Sequence, residues 1–386
     1  MKNKIKGLIN KLVKLISYLV PKSKKIWVFG AWQGKQFSDN SKYMFEYVNS
    51  NHKEIKAIWI TKSDEVVARV RSLGYKCYKA GSLKGMWYVM RAKVAFETEG
   101  NRDIAYYLNS KRTRVIQLWH GVAPKAMNWN KDTSVMTRAE KRVFNMHRES
   151  YWMTSSEQNS RTMHDLLDCI PEKMFATGYP RNDIFVNVKE PSELKKELDS
   201  LYPDCKKIIY MPTHRNFGTE GAGFSEEDML TLDKVMRENK IVMIFKPHFH
   251  ELKNYAHLEE SFTNIILAKD SKYSDVYSYI MDMDLLISDY SSIIYDFTCA
   301  KKPIVLFPYD LEKFRHTDAG LFPYFEEIPA GPFCYTWKEV SDKVVELLNE
   351  DTWEEKREAC RMMFHPFDDG KNCERVYNTV VNKILK

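Results

Sequence analysis

The stretch that decides the fold is Leu285–Asp296, which reads LLISDYSSIIYD. Its first three residues are apolar and lead through Ser288 to the Ser291-Ser292 pair, which is typical of a helix start. A strand that passes directly into a helix is the repeating unit of parallel α/β sheets. The stretch therefore predicts a buried parallel strand whose carboxyl end carries polar side chains.

The same alternation of apolar runs and helical patterns continues in both directions. A first series of strands is predicted over 26–30, 55–61, 93–97, 114–119 and 151–155, and a second over 207–212, 241–246, 264–267, 285–288 and 303–308. Two α/β units are expected, with the carboxyl ends of their strands at a shared cleft, where open α/β sheets bind ligands. Neither a GxGxxG nor a GxxxxGK[ST] motif occurs, so a dinucleotide fingerprint or a Walker loop is not supported.

The domain boundaries are predicted from changes in composition. Residues 1–25 are a basic amphipathic arm, 26–187 a first Rossmann-like domain and 207–345 a second. Residues 188–206, which are polar and contain Pro191 and Pro203, are a predicted linker, and 346–386 are a predicted helical tail.

The positive charge of the chain is concentrated in the arm. Residues 1–25 hold eight lysines and no acid or arginine. Without these eight, 51 of the 59 basic residues remain against 52 acidic residues, so residues 26–386 are nearly neutral. A nucleic-acid-binding domain is therefore not expected, because its charge would be spread over a folded face. The seven cysteines include no CxxC pair, which favours a reducing cytoplasm over a disulfide framework or a zinc ribbon.

The arm itself has the pattern of an amphipathic helix. Its apolar residues lie on one broad arc, with Lys4, Lys11 and Lys14 opposite, and Pro21 ends the pattern. Such a lysine-rich helix is typical of one that lies in the interface of an anionic membrane. The alternative is an ordinary helix that docks on the core of the protein. No apolar run is long enough for a transmembrane helix, so peripheral attachment to the inner face of the cell membrane is expected.

Polar clusters follow several of the predicted strands. The first is Trp119-His120-Gly121, in which His120 could serve as a general base near neutral pH or be a structural histidine. The second, Thr213-His214-Arg215, and the third, Lys246-Pro247-His248, bring cations that could bind phosphate. His248 and His250 could instead be metal ligands, but no third ligand is identifiable.

The Ser291-Ser292 pair offers the free N–H groups of a helix start to an anion, or is a simple N-cap. Asp296, one turn further, could accept a hydrogen bond from a ligand hydroxyl. Arg181, in the turn Gly178–Asp183, adds another candidate phosphate contact. The Asp282-Met283-Asp284 triplet imitates a metal-binding DxD motif but precedes its strand, so it carries no prediction. Together the clusters predict a site that holds a diphosphate.

Taken in order, these motifs resemble those of the CDP-glycerol glycerophosphotransferases of teichoic acid synthesis. The resemblance rests on Trp119-His120-Gly121, Gly178–Asp183, Pro212–Arg215, Lys246-Pro247-His248 and Ser288–Ser292 with Asp296, and it covers about residues 26–345. It implies a GT-B fold, in which two Rossmann-like domains face a cleft and the second binds the nucleotide. The implied donor is CDP-glycerol or a related CDP-polyol, with no other cofactor and no metal.

The resemblance also implies roles for individual residues. His120 would deprotonate an acceptor hydroxyl that attacks the β-phosphorus, and CMP would leave. His248 and Lys246 would lie by the diphosphate, Arg181 and Arg215 would offset its charge, Ser291 and Ser292 would bind phosphate, and Asp296 would hold a donor hydroxyl. The remaining expected substrate contacts are Trp119, Gly121, Thr213, His214 and Pro247. The implied acceptor is lipid-linked or polymeric, which agrees with the amphipathic arm.

Two departures from the family pattern are visible. His214 stands where an aromatic residue is expected, and Val122-Ala123-Pro124 replaces a Thr-Pro. The short N-terminal segment favours a primase or short polymerase role. Two alternatives stay open: a GT-B glycosyltransferase that uses a nucleotide-sugar, and a catalytically silent scaffold at the membrane.

Overall fold

The computed structural model describes residues 12, 13, 15–105, 107, 108, 111–125, 134–213, 215, 223, 225–247, 252–255, 262–269, 273, 275–317 and 320–386. The chain forms two compact units. The first comprises Met1–His120, Trp129–Asp183 and Asp369–Lys386, and the second comprises Gly121–Asn128 and Ile184–Asp368. Among the described residues, no helix is both long enough and apolar enough to span a membrane.

The first unit is built on a seven-stranded parallel sheet in the order β3-β2-β1-β4-β5-β6-β7. Its strands are β1 Ser23–Phe29, β2 Lys56–Thr61, β3 Cys77–Lys79, β4 Ala92–Glu97, β5 Arg114–Gln117, β6 Tyr151–Thr154 and β7 Met174–Ala176. The helices of eight or more residues are Asp39–Asn51, Asp64–Ser72, Leu83–Arg91, Arg138–Glu149, Glu157–Leu167 and Asn372–Thr379. Apolar clusters cover the sheet on both faces, which explains why the central strands are continuous apolar runs.

The second unit is built on a five-stranded parallel sheet in the order β10-β9-β8-β11-β12. Its strands are β8 Lys206–Met211, β9 Ile241–Phe245, β10 Ile265–Leu267, β11 Leu285–Ser288 and β12 Ile304–Leu306. The longer helices are Glu193–Leu201, Glu226–Glu238, Trp337–Asn349 and Glu354–Phe364, and the shorter ones are Ile184–Asn187, Leu252–Tyr255, Ile293–Phe297, Leu311–Thr317 and Tyr324–Glu327. These two parallel sheets confirm the predicted α/β fold class.

The structure differs from the predicted boundaries at the linker. Residues 188–206, the predicted linker, belong to the second unit and contain the helix Glu193–Leu201. Ser192 caps this helix by accepting a hydrogen bond from the Lys195 N–H, and Leu194 and Leu198 are buried one turn apart.

The structure also divides the predicted tail, 346–386, between the two units. Residues 369–386 return to the first unit, where Val376 and Val380 are fully buried in its core. The Asp183 carboxylate accepts hydrogen bonds from the N–H groups of Asn372 (2.7 Å) and Cys373 (2.8 Å) at the start of the last helix. The motif Gly178–Asp183 therefore binds the returning chain.

Gly178 shows how closely this segment approaches the motif. Its φ of +79° is left-handed, and a Cβ atom there would lie 1.9 Å from the Asn372 side-chain oxygen. Only glycine fits this position without displacing the returning chain.

Candidate functional site

In the first unit, the candidate site lies where β5 ends. The carbonyl groups of three consecutive residues, 118–120, are each held by a side chain. The Asn40 amide donates to the carbonyl oxygens of Leu118 (3.2 Å) and Trp119 (3.1 Å), and the Arg181 guanidinium donates to that of His120 (3.1 Å). Trp119 has a φ of +51°, a conformation that costs a non-glycine residue about 1–3 kcal/mol. Asn40 and Arg181 therefore fix a strained turn at the predicted base.

The ring of His120 has a defined orientation. Its Nδ1 lies 3.3 Å from the Thr98 carbonyl oxygen, and the ring stacks on Trp119 with centroids 4.3 Å apart. Because a carbonyl can only accept a hydrogen bond, Nδ1 carries the proton in the neutral ring and Nε2 keeps its lone pair. Nε2 makes no hydrogen bond to any residue that the structure describes. Burial lowers the pKa of His120, while the charge of Asp39 opposes that shift.

Asp103 holds the loops on either side of His120. Its carboxylate accepts hydrogen bonds from the backbone N–H groups of Thr98 (2.7 Å), Glu99 (2.8 Å) and Gln33 (2.7 Å). One side chain thus positions both the carbonyl that binds Nδ1 and the loop of Trp32, whose ring lies 5.7 Å from that of His120. We did not predict Asp103 from the sequence; the only signal is an acid in the polar turn after a predicted strand.

A buried acid lies beneath the same turn. Burial raises the pKa of Glu97 well above its ordinary value, and the charge of Asp103 adds to that effect. Burial therefore favours the protonated form of Glu97. The Gln117 amide donates to Glu97 (3.4 Å), and its oxygen accepts from the Trp119 N–H (2.9 Å). This chain of hydrogen bonds gives the strained turn a third support.

Arg181 has a partner inside the first unit. Its guanidinium donates to the Asp39 carboxylate at 2.6 Å, and both side chains are buried. The contact of Arg181 with substrate phosphate remains a prediction, but the structure gives this cation a positioning role at His120.

Gly121 follows His120 with a φ of +138°, a conformation that glycine adopts readily.

In the second unit, the carboxyl ends of β8, β11 and β12 are joined by one arginine. Arg215 donates to Asp289 (2.7 Å) and to Asp310 (2.7 Å), and these groups are almost fully buried. Burial alone would lower the pKa of Arg215, but the two carboxylates hold it above its ordinary value. As with Arg181, the phosphate contact of Arg215 remains a prediction, because its donors bind carboxylates in this structure.

Two predicted substrate contacts at this edge have polar groups without partners among the described residues. The Thr213 hydroxyl is buried and makes no hydrogen bond there, although its N–H donates to Asp289 at 2.9 Å. The Lys246 ammonium is half-buried and has no ion pair within the described chain; burial lowers its pKa, while Asp275 opposes the shift. Lys246 follows β9 and precedes the buried Pro247.

The serine pair lies at the neighbouring strand end. Ser292 is at the N-cap of Ile293–Phe297, but its hydroxyl makes no capping hydrogen bond. The Ser291 hydroxyl accepts weakly from the Ile293 N–H at 3.4 Å. Asp296 is fully buried and accepts from the Tyr277 hydroxyl at 2.7 Å, with His365 Nε2 at 3.5 Å. Both serines are half-buried, so a ligand can reach them. The Asp296 carboxylate, by contrast, already accepts a hydrogen bond from Tyr277.

The remaining predicted residues, His214 and His248, lie outside the described residues, as does His250. The described part of the chain contains no group of three metal-ligating side chains. Asp282 and Asp284, from the discounted DxD triplet, accept backbone hydrogen bonds from Ser192 and Lys207.

Comparison with known proteins identifies the relatives of this chain. The family profile described as CDP-glycerol:poly(glycerophosphate) glycerophosphotransferase matches residues 12–382. A teichoic acid poly(glycerol phosphate) polymerase of Bacillus subtilis (strain 168) is 27% identical over 98% of this chain, which spans about half (52%) of that protein. A teichoic acid glycerol-phosphate transferase of Staphylococcus aureus (strain NCTC 8325 / PS 47) is 25% identical, with 98% of this chain and 99% of the relative covered.

The fold also matches solved structures. The structure of the wall teichoic acid polymerase TagF aligns with a TM-score of 0.79 and 23% identity, over 100% of this chain and 96% of that one. At this identity the likeness concerns the fold alone.

Proposed function

The chain belongs to the CDP-glycerol:poly(glycerophosphate) glycerophosphotransferase family, and we propose that it transfers glycerol phosphate, or a related polyol phosphate, from CDP-glycerol to a hydroxyl of a membrane-associated acceptor. The polymer is teichoic acid or a similar surface polymer, and CMP is released. The membership confirms the resemblance that the motifs predicted.

The observation that carries the proposal is the fixed tautomer of His120. With Nδ1 donating to the Thr98 carbonyl, Nε2 accepts the proton of the acceptor hydroxyl. The acceptor oxygen then forms a bond to the β-phosphorus of the donor, and the bond from that phosphorus to the oxygen of CMP breaks. The lowered pKa keeps His120 neutral, and therefore able to act as a base, at physiological pH.

The donor contacts that we assign to the second unit fit a diphosphate. Lys246 supplies a cation that forms no ion pair with a described residue, and the Thr213 and Ser292 hydroxyls donate to no group in the described part of the chain, which leaves them available to a ligand. His214 and His248 belong to the same motifs and complete the assignment. Positioning and charge stabilisation carry most phosphoryl-transfer catalysis, so the reaction needs no metal or organic cofactor in this proposal.

The arm attaches the protein to the inner face of the cell membrane in this proposal. Residues 12, 13 and 15–19 are helical, and Leu12, Leu15 and Leu19 are 58%, 66% and 82% exposed. A helix docked only on the core of the protein would bury these leucines. Exposed leucines beside a cluster of lysines fit a helix that lies in a lipid interface.

The attachment is tested with vesicles of anionic lipid. The variant Leu12→Ser/Leu15→Ser/Leu19→Ser is expected to lose sedimentation with the vesicles. The matched control Leu73→Ser/Leu83→Ser/Leu201→Ser, which changes three other exposed leucines, should sediment like the wild type. Equal sedimentation of both variants would contradict the attachment.

The donor is tested by CMP release from a panel of CDP-glycerol, CDP-ribitol and several nucleotide-sugars, with crude membranes as acceptor. Release from a CDP-polyol that is lost in His120→Ala is the expected result. Turnover of a nucleotide-sugar alone would make the chain a glycosyltransferase, and no turnover with any donor would favour the silent scaffold.

A further inference from the structure

A cavity lies in the first unit, beside the helix Arg138–Glu149. It has a volume of about 410 Å³ and is bordered by the helix Arg138–Glu149 and by Asn101, from the turn after β4. Leu108 and Met146 give it an apolar wall. None of these residues belongs to the predicted donor contacts.

Three cations and one acid line this cavity: Arg138, Lys141, Arg142 and Glu149. The three cations are exposed, and the side chain of none of them forms a hydrogen bond or an ion pair with the described part of the chain. The nearest acid in sequence, Glu140, accepts hydrogen bonds from the N–H (2.8 Å) and hydroxyl (2.7 Å) of Thr137, so its carboxylate is occupied in the helix cap. We call this set of three cations and its cavity the basic pocket.

The position of the cations on their helix does not stabilise the helix itself. The amino end of a helix carries partial positive charge, so acids stabilise the first turn and cations destabilise it. Two other helices begin with acids, Asp64–Ser72 with two and Glu157–Leu167 with one, whereas Leu83–Arg91 has none in its first turn. In Arg138–Glu149, the cations occupy positions one, four and five. Only Arg138 lies in the first turn, where Glu140 offsets its charge, so the dipole gives the three cations no stabilising role in the helix, whereas an anion in the cavity would pair with them.

The basic pocket shares its supports with the predicted base. Asn101 belongs to the turn that begins at Thr98, and its N–H lies 3.5 Å from the Met146 sulfur. On the same helix, His147 packs edge-on against Trp119, with ring centroids 5.8 Å apart. The helix that lines the pocket thus also contacts the turn that carries His120.

We propose that the basic pocket binds a phosphodiester of the acceptor polymer and thereby selects an acceptor that already carries polyol phosphate units. The inference rests on the proposed function, whose acceptor is a poly(glycerophosphate). The three cations neutralise phosphate, and the apolar wall contacts the carbon atoms between phosphates. A concave cavity fits a single chain, whereas a bilayer surface would need the cations on a flat or convex face.

The variant that tests the pocket is Arg138→Gln/Lys141→Gln/Arg142→Gln. These side chains are exposed, so folding is expected to be retained. The matched control is Arg69→Gln/Lys76→Gln/Lys84→Gln, which removes three exposed cations from the same unit at sites that do not line the cavity. Calorimetry measures the binding of a short, lipid-free oligo(glycerol phosphate) to each protein, and vesicles of anionic lipid are the second probe.

We expect the pocket variant to bind the oligomer about tenfold more weakly than the wild type, with a shallower salt dependence, because three exposed charge contacts are lost. The control should bind like the wild type, and the KM for CDP-glycerol should not change. Equal oligomer binding by both variants, or no binding by the wild type, would overturn the proposal. So would loss of vesicle binding with oligomer binding intact, since the cations would then serve the membrane.

Failure of the proposed function gives a different result. Oligomer binding is measured without turnover, so it does not depend on the transfer reaction. If the wild type binds the oligomer but releases no CMP from any CDP-polyol, the proposed transferase function is wrong and the proposed binding pocket is retained. If the wild type transfers polyol phosphate equally well to glycerol and to the oligomer, the pocket does not select the acceptor, whereas the transferase function is supported.

Discussion

The buried ion pair between Asp39 and Arg181 gives the most quantitative prediction. The two residues are only 5% and 2% exposed, and their side chains are 2.6 Å apart. Solvent therefore screens the pair very little. Removing one partner leaves a buried charge without its counter-ion, which costs about 3–5 kcal/mol. Asp39→Asn and Arg181→Gln should each destabilise the first unit by about that amount.

The double variant should be less damaged than the two single variants together predict. With both charges gone, only hydrogen bonds are lost, so we expect a coupling free energy of at least about 2 kcal/mol. Transfer activity should nevertheless fall in both single variants and in the double variant. In each of them the native contact between the Arg181 guanidinium and the His120 carbonyl is lost or displaced.

Hydrogen exchange of the β5 amides is the appropriate assay, because it reports opening of the first unit separately from the second. Thermal or urea unfolding of a chain with two units would mix their transitions. If each single variant changes the free energy of opening by less than about 1 kcal/mol and the effects simply add, the pair is not a buried support. Arg181 would then be available for substrate, as the motif suggested.

Three further predictions concern titration and metals. His120→Ala should lower transfer by about 10²–10⁴-fold, and wild-type kcat/KM should rise with pH through a midpoint below 6.5, because burial lowers the pKa of the base; a midpoint above 6.5 would contradict this. Burial also lowers the pKa of His147 to about 4. As the pH falls, the imidazole is therefore protonated in the unfolded chain at a higher pH than in the folded protein. About 3 kcal/mol of stability, complete above pH 6.5, should be lost as the pH falls to about 4. Hydrogen exchange at the two pH values should show this loss in the wild type and a smaller one in His147→Phe. A chelator should leave CMP release unchanged; complete loss that a divalent cation restores would refute the metal-free reaction.

Much of the fold could be predicted because buried parallel strands are uninterrupted apolar runs. The predicted strands overlap ten of the twelve observed strands. The two that were missed, β3 and β7, have three residues each and lie at the two edges of the first sheet. Because β3 and β7 are mostly half-buried or exposed, they lack the buried apolar run that revealed the equally short β10 and β12.

The return of the C-terminal segment could not be predicted for a different reason. Val376 and Val380 show that the last helix has an apolar face, but such a pattern does not indicate which surface it covers. That choice depends on tertiary contacts, here the Asp183 carboxylate and the gap left by Gly178.

The site could be predicted in part because parallel strands bring their carboxyl ends to one edge. This rule located His120 in the first unit, and Thr213, Lys246 and the serine pair in the second. It could not show that Arg215 lies between two carboxylates, because Asp289 and Asp310 are 74 and 95 residues further along the chain. Sequence shows the charge of a side chain but not its partner.

The central claim is that phosphorus, and not a bare polyol or sugar, moves to the acceptor. It is tested most directly with CDP-glycerol labelled at the β-phosphorus, incubated with the wild type or His120→Ala and an oligo(glycerol phosphate) acceptor. We expect label in the acceptor, unlabelled CMP as the other product, and about 10²–10⁴-fold slower formation of both with His120→Ala. Label retained in CDP, or transfer that does not depend on His120, would contradict it.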